Sequence, residues 1–442
     1  MTTRRARRLP VHQGRAAWNA MLGPQAPARV LEGAQTADVA VIGAGFAGLS
    51  AARRLLQLDP SLSVAVLEAG RVAEGSAGRN SGFMIDLPHE LTSEDYAGAG
   101  DDRAVTARNR QAIGFASDAV DEYQIDPAFF DRAGKINGAV SAAALAHNQT
   151  YAAHLSAMGE PHEMLDASAM RDLTGSTHYN GGLYTPGTVL LHPAGYIRGL
   201  AAGLSDRVRI YENTPVQALT RIGPDWQMIT PKGSLTAPRV IMATNGHLES
   251  FGFERGRLMQ LFLFGVMTPE LEAADLPGAD HWGITPSDPM GTSVRRIATG
   301  AGKARILIRT CAHLLPGMKP GAAHVERAAR IMQRKFNDRF PGLAGLRMEH
   351  AWSGHLCLSL NAVSVCRPLE PGLVSASVQN GLGTTRGTLT GIAAAEMTLG
   401  QQSDLTTHFQ AEPRPRPLPP RPFREIGANV LLRYREWKAR AE

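Results

Sequence analysis

The chain has 442 residues, of which 43% are apolar and 19% charged, with a formal charge of +6 at pH 7. This composition excludes a disordered or fibrous protein, and the length predicts two or three domains. The three cysteines, Cys311, Cys357 and Cys366, have no C-x-x-C spacing. No disulfide scaffold, zinc site or redox pair is therefore predicted, and a cytoplasmic location is favoured.

The positive charge is concentrated at the two ends of the chain. Residues 1–36 contain six Arg and one acid, and residues 413–442 contain eight Lys or Arg and three acids, so the segment between them is mildly acidic. We interpret both ends as solvated basic tails. No nucleic-acid partner is expected, because no basic patch interleaved with aromatic residues occurs elsewhere. Residues 9–22 lack the apolar run of a signal peptide, and the most apolar stretch, residues 258–267, is too short to cross a bilayer and predicts a buried strand.

A glycine-rich turn follows the first predicted strand of the body. Residues 38–42 (DVAVI) are typical of a buried parallel strand, and residues 49–58 place apolar side chains at helical spacing. In the turn between them, Gly43 permits the bend, Gly45 lets the backbone approach a diphosphate, and Gly48 lets the helix pack on the strand. The cofactor contacts predicted in this turn are Gly43, Gly45, Phe46, Ala47 and Gly48.

A second strand, residues 63–67 (SVAVL), ends at Glu68, 20 residues after Gly48. A carboxylate at this distance is placed to accept hydrogen bonds from both ribose hydroxyls of an adenosine. Strand, turn, helix, strand and acid together predict a site for the ADP part of a dinucleotide. This motif leaves FAD and NAD both open.

Residues 69–83 (AGRVAEGSAGRNSGF) form a second glycine-rich segment. Its small residues permit contact with a flat ring, and Arg79 offers a planar fork for phosphate. An ordinary surface loop has a similar composition, but the pattern resembles the G-x-S-x-R-N-x-G segment beneath the flavin in the D-amino-acid oxidase superfamily. By that resemblance Arg79 neutralises the pyrophosphate, while Asn80 and Ser81 lie near the isoalloxazine. The FAD contacts assigned here are Ala69, Arg71, Ser76, Gly78, Arg79, Asn80 and Ser81.

Other stretches resemble one branch of that superfamily, the γ-glutamylputrescine oxidase-like enzymes. They are residues 122–126 (EYQID), residues 191–193 (LHP), where His192 is expected to cap a helix, and residues 352–355 (WSGH). The resemblance covers about residues 37–400, and the last basic helix is also similar. It is specific for fold and cofactor and less specific for substrate.

Two further segments are expected to reach the dinucleotide. By resemblance, Val216 contacts the adenine through its backbone, and residues 239–246 (RVIMATNG) form a strand and turn that bring a third strand end to the cofactor. A plain core strand and turn is the alternative. The contacts assigned here are Val216, Ala243, Thr244, Asn245 and Gly246.

Near the end of the body, residues 372–378 predict a strand and residues 386–399 a helix. The start of such a helix is suited to stabilise negative charge on a reduced flavin. The family usually has S-G-H-G in the intervening loop, whereas Leu382 stands here in place of His, so a role for that imidazole is in doubt. The contacts assigned are Gly381, Leu382, Gly383, Thr384 and Thr385.

The resemblance implies oxidation of an amine or amino acid, with hydride transfer from the C–H beside nitrogen to flavin N5 and hydrolysis of the resulting imine. A flavin needs a substrate held in orientation and water excluded, so no catalytic triad is expected. Candidates for the substrate pocket are Arg309, which could grip a carboxylate or sulfonate or else pair with an acid nearby, and His355, Trp352 and Asn380.

Electrons are expected to pass to O₂ or a quinone-type acceptor. We expect FAD to be bound non-covalently, with a thioether to Cys357 as the alternative. A helix is expected over residues 426–439, with one apolar face that docks on the body or on a partner subunit. A homo-oligomer is therefore one of the two alternatives. Two rival functions stay open: a pyridine-nucleotide dehydrogenase, which would need a second dinucleotide motif, and a flavin-binding subunit of a multi-subunit dehydrogenase without catalysis of its own.

We therefore predict an α/β protein, α+β overall. A Rossmann-type FAD-binding domain is assembled from residues 37–90, 188–250 and 350–405. A mostly antiparallel β-sheet substrate domain carrying helices comprises residues 91–187 and 251–349. Basic tails cover residues 1–36 and 406–442 and include the C-terminal helix.

Overall fold

The structure, a computed structural model, describes residues 3–88, 100–288 and 290–442. Within these ranges the strands are β1 (Thr3–Arg5), β2 (Gly33–Thr36), β3 (Val39–Ile42), β4 (Val64–Leu67), β5 (Phe83–Met84), β6 (Phe130–Asp131), β7 (Lys135–Ala139), β8 (Glu163–Asp166), β9 (Gly181–Thr185), β10 (Val189–Leu191), β11 (Val208–Tyr211), β12 (Ala218–Ile222), β13 (Asp225–Ile229), β14 (Gly233–Ala237), β15 (Arg239–Met242), β16 (Leu258–Met267), β17 (Leu271–Glu272), β18 (Trp282–Pro286), β19 (Ser293–Gly300), β20 (Lys303–Leu314), β21 (His350–Ser359), β22 (Val365–Glu370) and β23 (Leu373–Ser377).

The α-helices of the same ranges are α1 (Ala17–Ala20), α2 (Phe46–Leu58), α3 (Asp102–Glu122), α4 (Ala142–Met158), α5 (Ala167–Thr174), α6 (Pro193–Leu204), α7 (Ala322–Arg339), α8 (Thr385–Thr398), α9 (Asp404–Ala411) and α10 (Phe423–Lys438). No helix in the described part of the chain is both long enough and apolar enough to span a bilayer.

A parallel sheet in the order β11-β4-β3-β15-β23 forms the centre of the first half of the fold, with β22 added antiparallel at one edge. Its strands are short and buried on both sides, as parallel strands covered on both faces must be. Alternating residues face opposite layers: Val39 and Val41 pack toward the layer of α2 and α8, whereas Ala40 and Ile42 pack toward the sheet β1-β12-β13-β14-β2. The predicted Rossmann-type core is confirmed.

The N-terminal residues take part in this architecture, so their interpretation as a solvated tail is wrong. Strand β1 pairs with β12, and β2 pairs with β14. Trp18 and Leu31 are fully buried, and Trp18 Nε1 donates a 2.8 Å hydrogen bond to the Asn80 carbonyl oxygen. Sequence analysis missed these elements because the apolar residues stand singly among arginines and prolines. They show no hydrophobic periodicity that would predict a helix or a strand.

A second large sheet runs in the order β21-β16-β20-β19-β18-β7-β9-β8, with antiparallel pairing throughout except between β18 and β7. Helix α7 packs against its strands β16, β20 and β21. The prediction of a mostly antiparallel second sheet with helices is confirmed, and residues 258–267 form the expected buried strand, β16.

The C-terminal region also forms regular structure, in two helices, rather than a tail. Helix α9 crosses the predicted limit at residue 405, and it buries Leu405 and Phe409. Helix α10 is present, but its apolar side chains face outward rather than docking on the body. The domain limits stay a prediction, and the predicted junction between residues 90 and 91 falls in residues 89–99, outside the described residues.

Candidate functional site

A cavity of about 360 Å³ lies where the carboxyl ends of β3, β4, β15 and β23 meet the large antiparallel sheet. Ligands of open α/β sheets bind at this edge of the strands. The predicted cofactor contacts that line it are Gly43, Gly45, Phe46, Ala47, Glu68, Ala69, Ser76, Arg79, Asn80, Ser81, Val216, Ala243, Thr244, Asn245, Gly381, Leu382, Gly383 and Thr384. The predicted substrate residues that line it are Arg309, His355 and Asn380.

The remaining predicted residues do not line this cavity. They are Gly48, Arg71, Gly78, Gly246, Thr385 and Trp352. The glycines among them are required by protein packing: a Cβ on Gly48 would lie 1.8 Å from the Gly43 carbonyl oxygen, and a Cβ on Gly246 would lie 2.2 Å from Gln260 Oε1. The packing role predicted for Gly48 agrees with this geometry.

Arg71 and Trp352 are corrections to the predicted site. Arg71 points to another part of the surface, where its Nε donates to Glu212 Oε1 at 3.2 Å. Trp352 is 1% exposed, and its Nε1 donates a 3.0 Å hydrogen bond to the Arg79 carbonyl oxygen. Sequence reasoning could not separate a Trp facing the cavity from one facing the core, because the two differ by a single residue of strand register.

Arg79 lies against the cavity but uses its guanidinium to join three segments. Nε donates to the Glu74 carbonyl oxygen at 2.5 Å, and Nη1 lies within 3.3 Å of the carbonyl oxygens of Gln13, Gly14 and Ser353. Burial lowers the pKa of Arg79 to about 10, so it remains a cation at neutral pH. Arg79 therefore ties the N-terminal segment and β21 to the glycine-rich loop.

Glu68 lines the cavity directly after the end of β4. Its Oε2 accepts a 2.7 Å hydrogen bond from the Ala44 amide, and its Oε1 accepts a 3.2 Å bond from the Gly70 amide. Burial raises the pKa of Glu68, and these backbone donors oppose the rise by stabilising the carboxylate. Both glycine-rich segments are thereby held by one side chain.

The loop before α8 is held from both sides. Asn380 Oδ1 accepts from the Ser359 amide at 2.8 Å, and Thr384 Oγ1 donates to the Phe83 carbonyl oxygen at 2.8 Å. Leu382, which stands where the resembling family usually has His, lies at the cavity surface. Because the Asn380 side-chain amide is bonded to the backbone of Ser359 and Val363, we assign it a structural role in fixing this loop.

Sequence reasoning missed two histidines that join His355 at the cavity: His12, which lies in the supposed tail, and His247, two residues beyond the A-T-N segment. The rings of His247 and His355 lie 5.4 Å apart, and His355 Nε2 is 2.9 Å from Gln260 Oε1. Burial lowers the pKa of His12 and of His247 to about 4, and it holds that of His355 well below its ordinary value. The three imidazoles are neutral at pH 7.

The far end of the cavity is formed by the antiparallel sheet. Arg309 of β20 lies across from Ser293 of β19, and Phe264 and Met290 supply apolar surface beside them. Among the described residues that line the cavity, Glu68 is the one carboxylate, whereas Arg8, Arg79 and Arg309 are cations. These described lining residues carry a net positive charge, so the cavity favours an anionic group.

Two arginines of the neighbouring strand β19 stabilise the fold. Arg295 Nη1 donates to the carbonyl oxygens of Ser81, Gly82 and Leu191 at 2.6–3.1 Å, and Arg296 donates to those of residues 276–278. His192 caps α6 as expected, since its Nδ1 accepts from the Gly195 amide at 2.9 Å. Cys357 lines the cavity, and burial raises the pKa of its thiol, so the nucleophilic thiolate is disfavoured.

The family model for FAD dependent oxidoreductase matches residues 38–397. The chain is 26% identical over 413 residues to the probable oxidoreductase OrdL of Rhizobium meliloti, covering 90% of this chain and 91% of the relative. It is 26% identical over 405 residues to the gamma-glutamylputrescine oxidoreductase of Escherichia coli, covering 85% and 86%.

Solved structures share the fold at lower identity. Glycine oxidase from Geobacillus kaustophilus superposes with a TM-score of 0.68 at 17% identity, covering 84% of this chain and 96% of that one. L-Amino acid deaminase from Proteus myxofaciens, in complex with anthranilate, gives a TM-score of 0.66 at 15% identity, covering 91% and 98%.

Proposed function

Starting from the premise that the chain belongs to the FAD dependent oxidoreductase family, we propose that it oxidises the carbon–nitrogen bond of an amine that carries a carboxylate. The observation that carries this substrate class is Arg309, a cation on the part of the cavity wall formed by the antiparallel sheet. The class also agrees with the names of the relatives, which include a gamma-glutamylputrescine oxidoreductase, a glycine oxidase and an L-amino acid deaminase.

The glycines support a fit between the cavity and FAD. A Cβ on Gly45 would meet just one neighbour, Ala77 Cβ at 3.5 Å, and a Cβ on Gly383 would meet nothing within 4 Å. Packing within the protein does not require glycine at either position, so the space beside them is available to a ligand. Both lie at helix starts, of α2 and α8, where backbone amides can bind the diphosphate and the flavin carbonyl side.

Unpaired polar atoms at the cavity surface support the same fit. Thr244 Oγ1, Asn245 Oδ1 and His12 Nδ1 are buried and have no hydrogen-bond partner within the described residues. Leaving such atoms unsatisfied costs about 1–3 kcal/mol each, which favours a ligand that pairs with them. We assign Glu68 to the ribose hydroxyls and Val216 to the adenine.

FAD, when bound, supplies the acceptor for a hydride from the substrate carbon beside nitrogen. Arg309 supplies a positive charge that attracts the substrate carboxylate and so helps to fix where that carbon lies. Arg8, Arg79 and Arg309 make the cavity unfavourable for an ammonium, which promotes loss of a proton from the substrate nitrogen. The imidazoles of His12, His247 and His355 are neutral at pH 7 and therefore add no charge to the cavity.

Anaerobic mixing of the holoenzyme with amines tests the proposal. We expect carboxylate-bearing amines to bleach the flavin absorbance and putrescine, which has no carboxylate, to leave it unchanged. Substitution Arg309→Met should raise KM about 10- to 150-fold, the loss expected for one charged hydrogen bond, with a smaller effect on kcat. Arg309→Lys should recover part of the loss.

Arg414, whose side chain is 64% exposed, offers a matched control. Arg414→Met should leave KM unchanged. Bleaching by diamines alone, or an unaltered KM in Arg309→Met, would contradict the assignment.

A second candidate is a flavin-binding subunit without catalysis of its own, and Leu382 is the observation in its favour. If no compound in a panel of primary amines, N-methyl amines and acidic amino acids bleaches the flavin, this candidate replaces the first. We propose non-covalent binding of FAD, with O₂ or a quinone-type compound as acceptor. Oxygen uptake measured with and without a soluble quinone separates these acceptors.

A further inference from the structure

Helix α10 presents a continuous apolar stripe to solvent. We call the following set the α10 stripe: Phe423, Ile426, Val430, Leu431, Tyr434 and Trp437, with exposures of 49–72%. Apart from the adjacent pair Val430 and Leu431, they are spaced by three or four residues, which places the set on one face of the helix. Six large apolar side chains in one row exceed what scattered surface exposure on a folded protein explains.

The opposite, polar face of α10 attaches the helix to the body. Asn429 Oδ1 accepts from the Leu314 amide at 3.1 Å, and Glu436 Oε1 accepts from the Ala312 amide at 2.9 Å, both on β20. Beyond the helix, Ala439 is buried. This arrangement is the reverse of an ordinary surface helix, whose apolar face packs on the core.

The charges around the α10 stripe are positive. Arg421 is 58% exposed at one end, and Lys438 and Arg440 are exposed at the other. The acids of this region are turned inward: Glu425 pairs with Arg421 and Arg424, and Glu436 with Arg433 and β20. The outward surface is therefore an apolar row with a cationic group at each end.

We propose that the α10 stripe docks on an anionic lipid surface, with the helix lying in the plane of the headgroups. Apolar side chains with Trp and Tyr, flanked by Lys and Arg, are the composition of interfacial helices. The cations are attracted to anionic lipids. This property is independent of the proposed reaction.

A second copy of the chain fits the stripe less well. Because both ends of the stripe are cationic, a two-fold pairing of α10 helices places like charges together whether the helices run parallel or antiparallel. An anionic surface complements both ends at once.

Trp437 provides a direct reporter of docking. The other four tryptophans, Trp18, Trp226, Trp282 and Trp352, are at most 3% exposed, whereas Trp437 is 59% exposed. On adding phosphatidylglycerol vesicles to the full-length holoenzyme at low salt, we expect a blue shift of tryptophan emission and co-sedimentation of the protein. Phosphatidylcholine vesicles should give neither, and Trp437→Phe should remove the shift while the protein still sediments.

Substitutions in the α10 stripe test whether this surface binds the vesicles. Val430→Glu with Tyr434→Glu should lower vesicle partitioning at least about tenfold, since each places a charge in the apolar face. Leu360→Glu and Ile222→Glu are matched controls, because these exposed residues lie outside α10, and they should bind as the unsubstituted chain does. Arg421→Glu with Lys438→Glu, which leaves the apolar row intact, should also weaken binding, and it serves if the first pair fails to fold.

Three outcomes would overturn the proposal. One is an absence of binding to phosphatidylglycerol at low salt. Another is equal binding to both lipids, which would remove the role of charge. The third is a dimer in solution whose Trp437 emission is already blue-shifted without lipid, which would assign the stripe to a second copy.

Discussion

At the scale of single residues, two glycines of one turn have separable tasks. A methyl group on Gly48 would meet the backbone oxygen of Gly43, which cannot move without distorting the turn, whereas a methyl group on Gly45 meets Ala77 Cβ at an ordinary 3.5 Å. We predict that Gly48→Ala lowers the thermal midpoint of the apoprotein. Gly45→Ala should leave that midpoint unchanged but weaken FAD binding at least about tenfold, because the methyl group occupies the space needed by a diphosphate. Gly114→Ala, with no neighbour within 4 Å, is the control. Titration of flavin fluorescence and thermal unfolding measure the two effects, and equal loss of FAD affinity in all three variants would contradict the separation.

At the scale of elements, the N-terminal segment shows where sequence analysis succeeded and where it failed. Strand β16 was predicted with the bounds it has, because nine of the ten residues from 258 to 267 are apolar or glycine. Trp18 gave no such signal, since it packs against Asn80, His192 and Arg295, which are distant in sequence. The same limit applied to Trp352 and His12, whose orientation is set by tertiary contacts. We predict that Trp18→Ala lowers the free energy of unfolding by about 3–5 kcal/mol and that the exposed Trp437→Ala changes it little. Denaturant titration of both variants checks this prediction. If Trp18→Ala changes the free energy of unfolding only slightly, residues 1–36 would be better described as a tail.

At the scale of the whole molecule, buried neutral histidines make stability depend on pH. The folded-state pKa of His12 and of His247 is about 4, below the ordinary 6.5, so the unfolded chain binds more protons between these values. The contribution of these histidines to the free energy of unfolding is fully present above pH 6.5 and is lost as the pH falls toward 4. For a buried group this loss is on the order of 1–3 kcal/mol. Glu442, with a pKa raised to about 7, opposes this by contributing stability below pH 4.5 that is lost as the pH rises to 7. We expect the thermal midpoint to fall from pH 6.5 to pH 4.5 and the fall to be smaller in His247→Gln. An equal fall in that variant would exclude His247 as a source.

The attachment of residues 13 and 14 to Arg79 bears on how firmly the coenzyme is held. Leu9, Pro10 and His12 form part of the cavity wall, and the Gln13 and Gly14 carbonyl oxygens join that part of the chain to Arg79. A change at Arg79 therefore reaches the bound coenzyme in two ways, directly through the guanidinium and indirectly through the wall that it anchors.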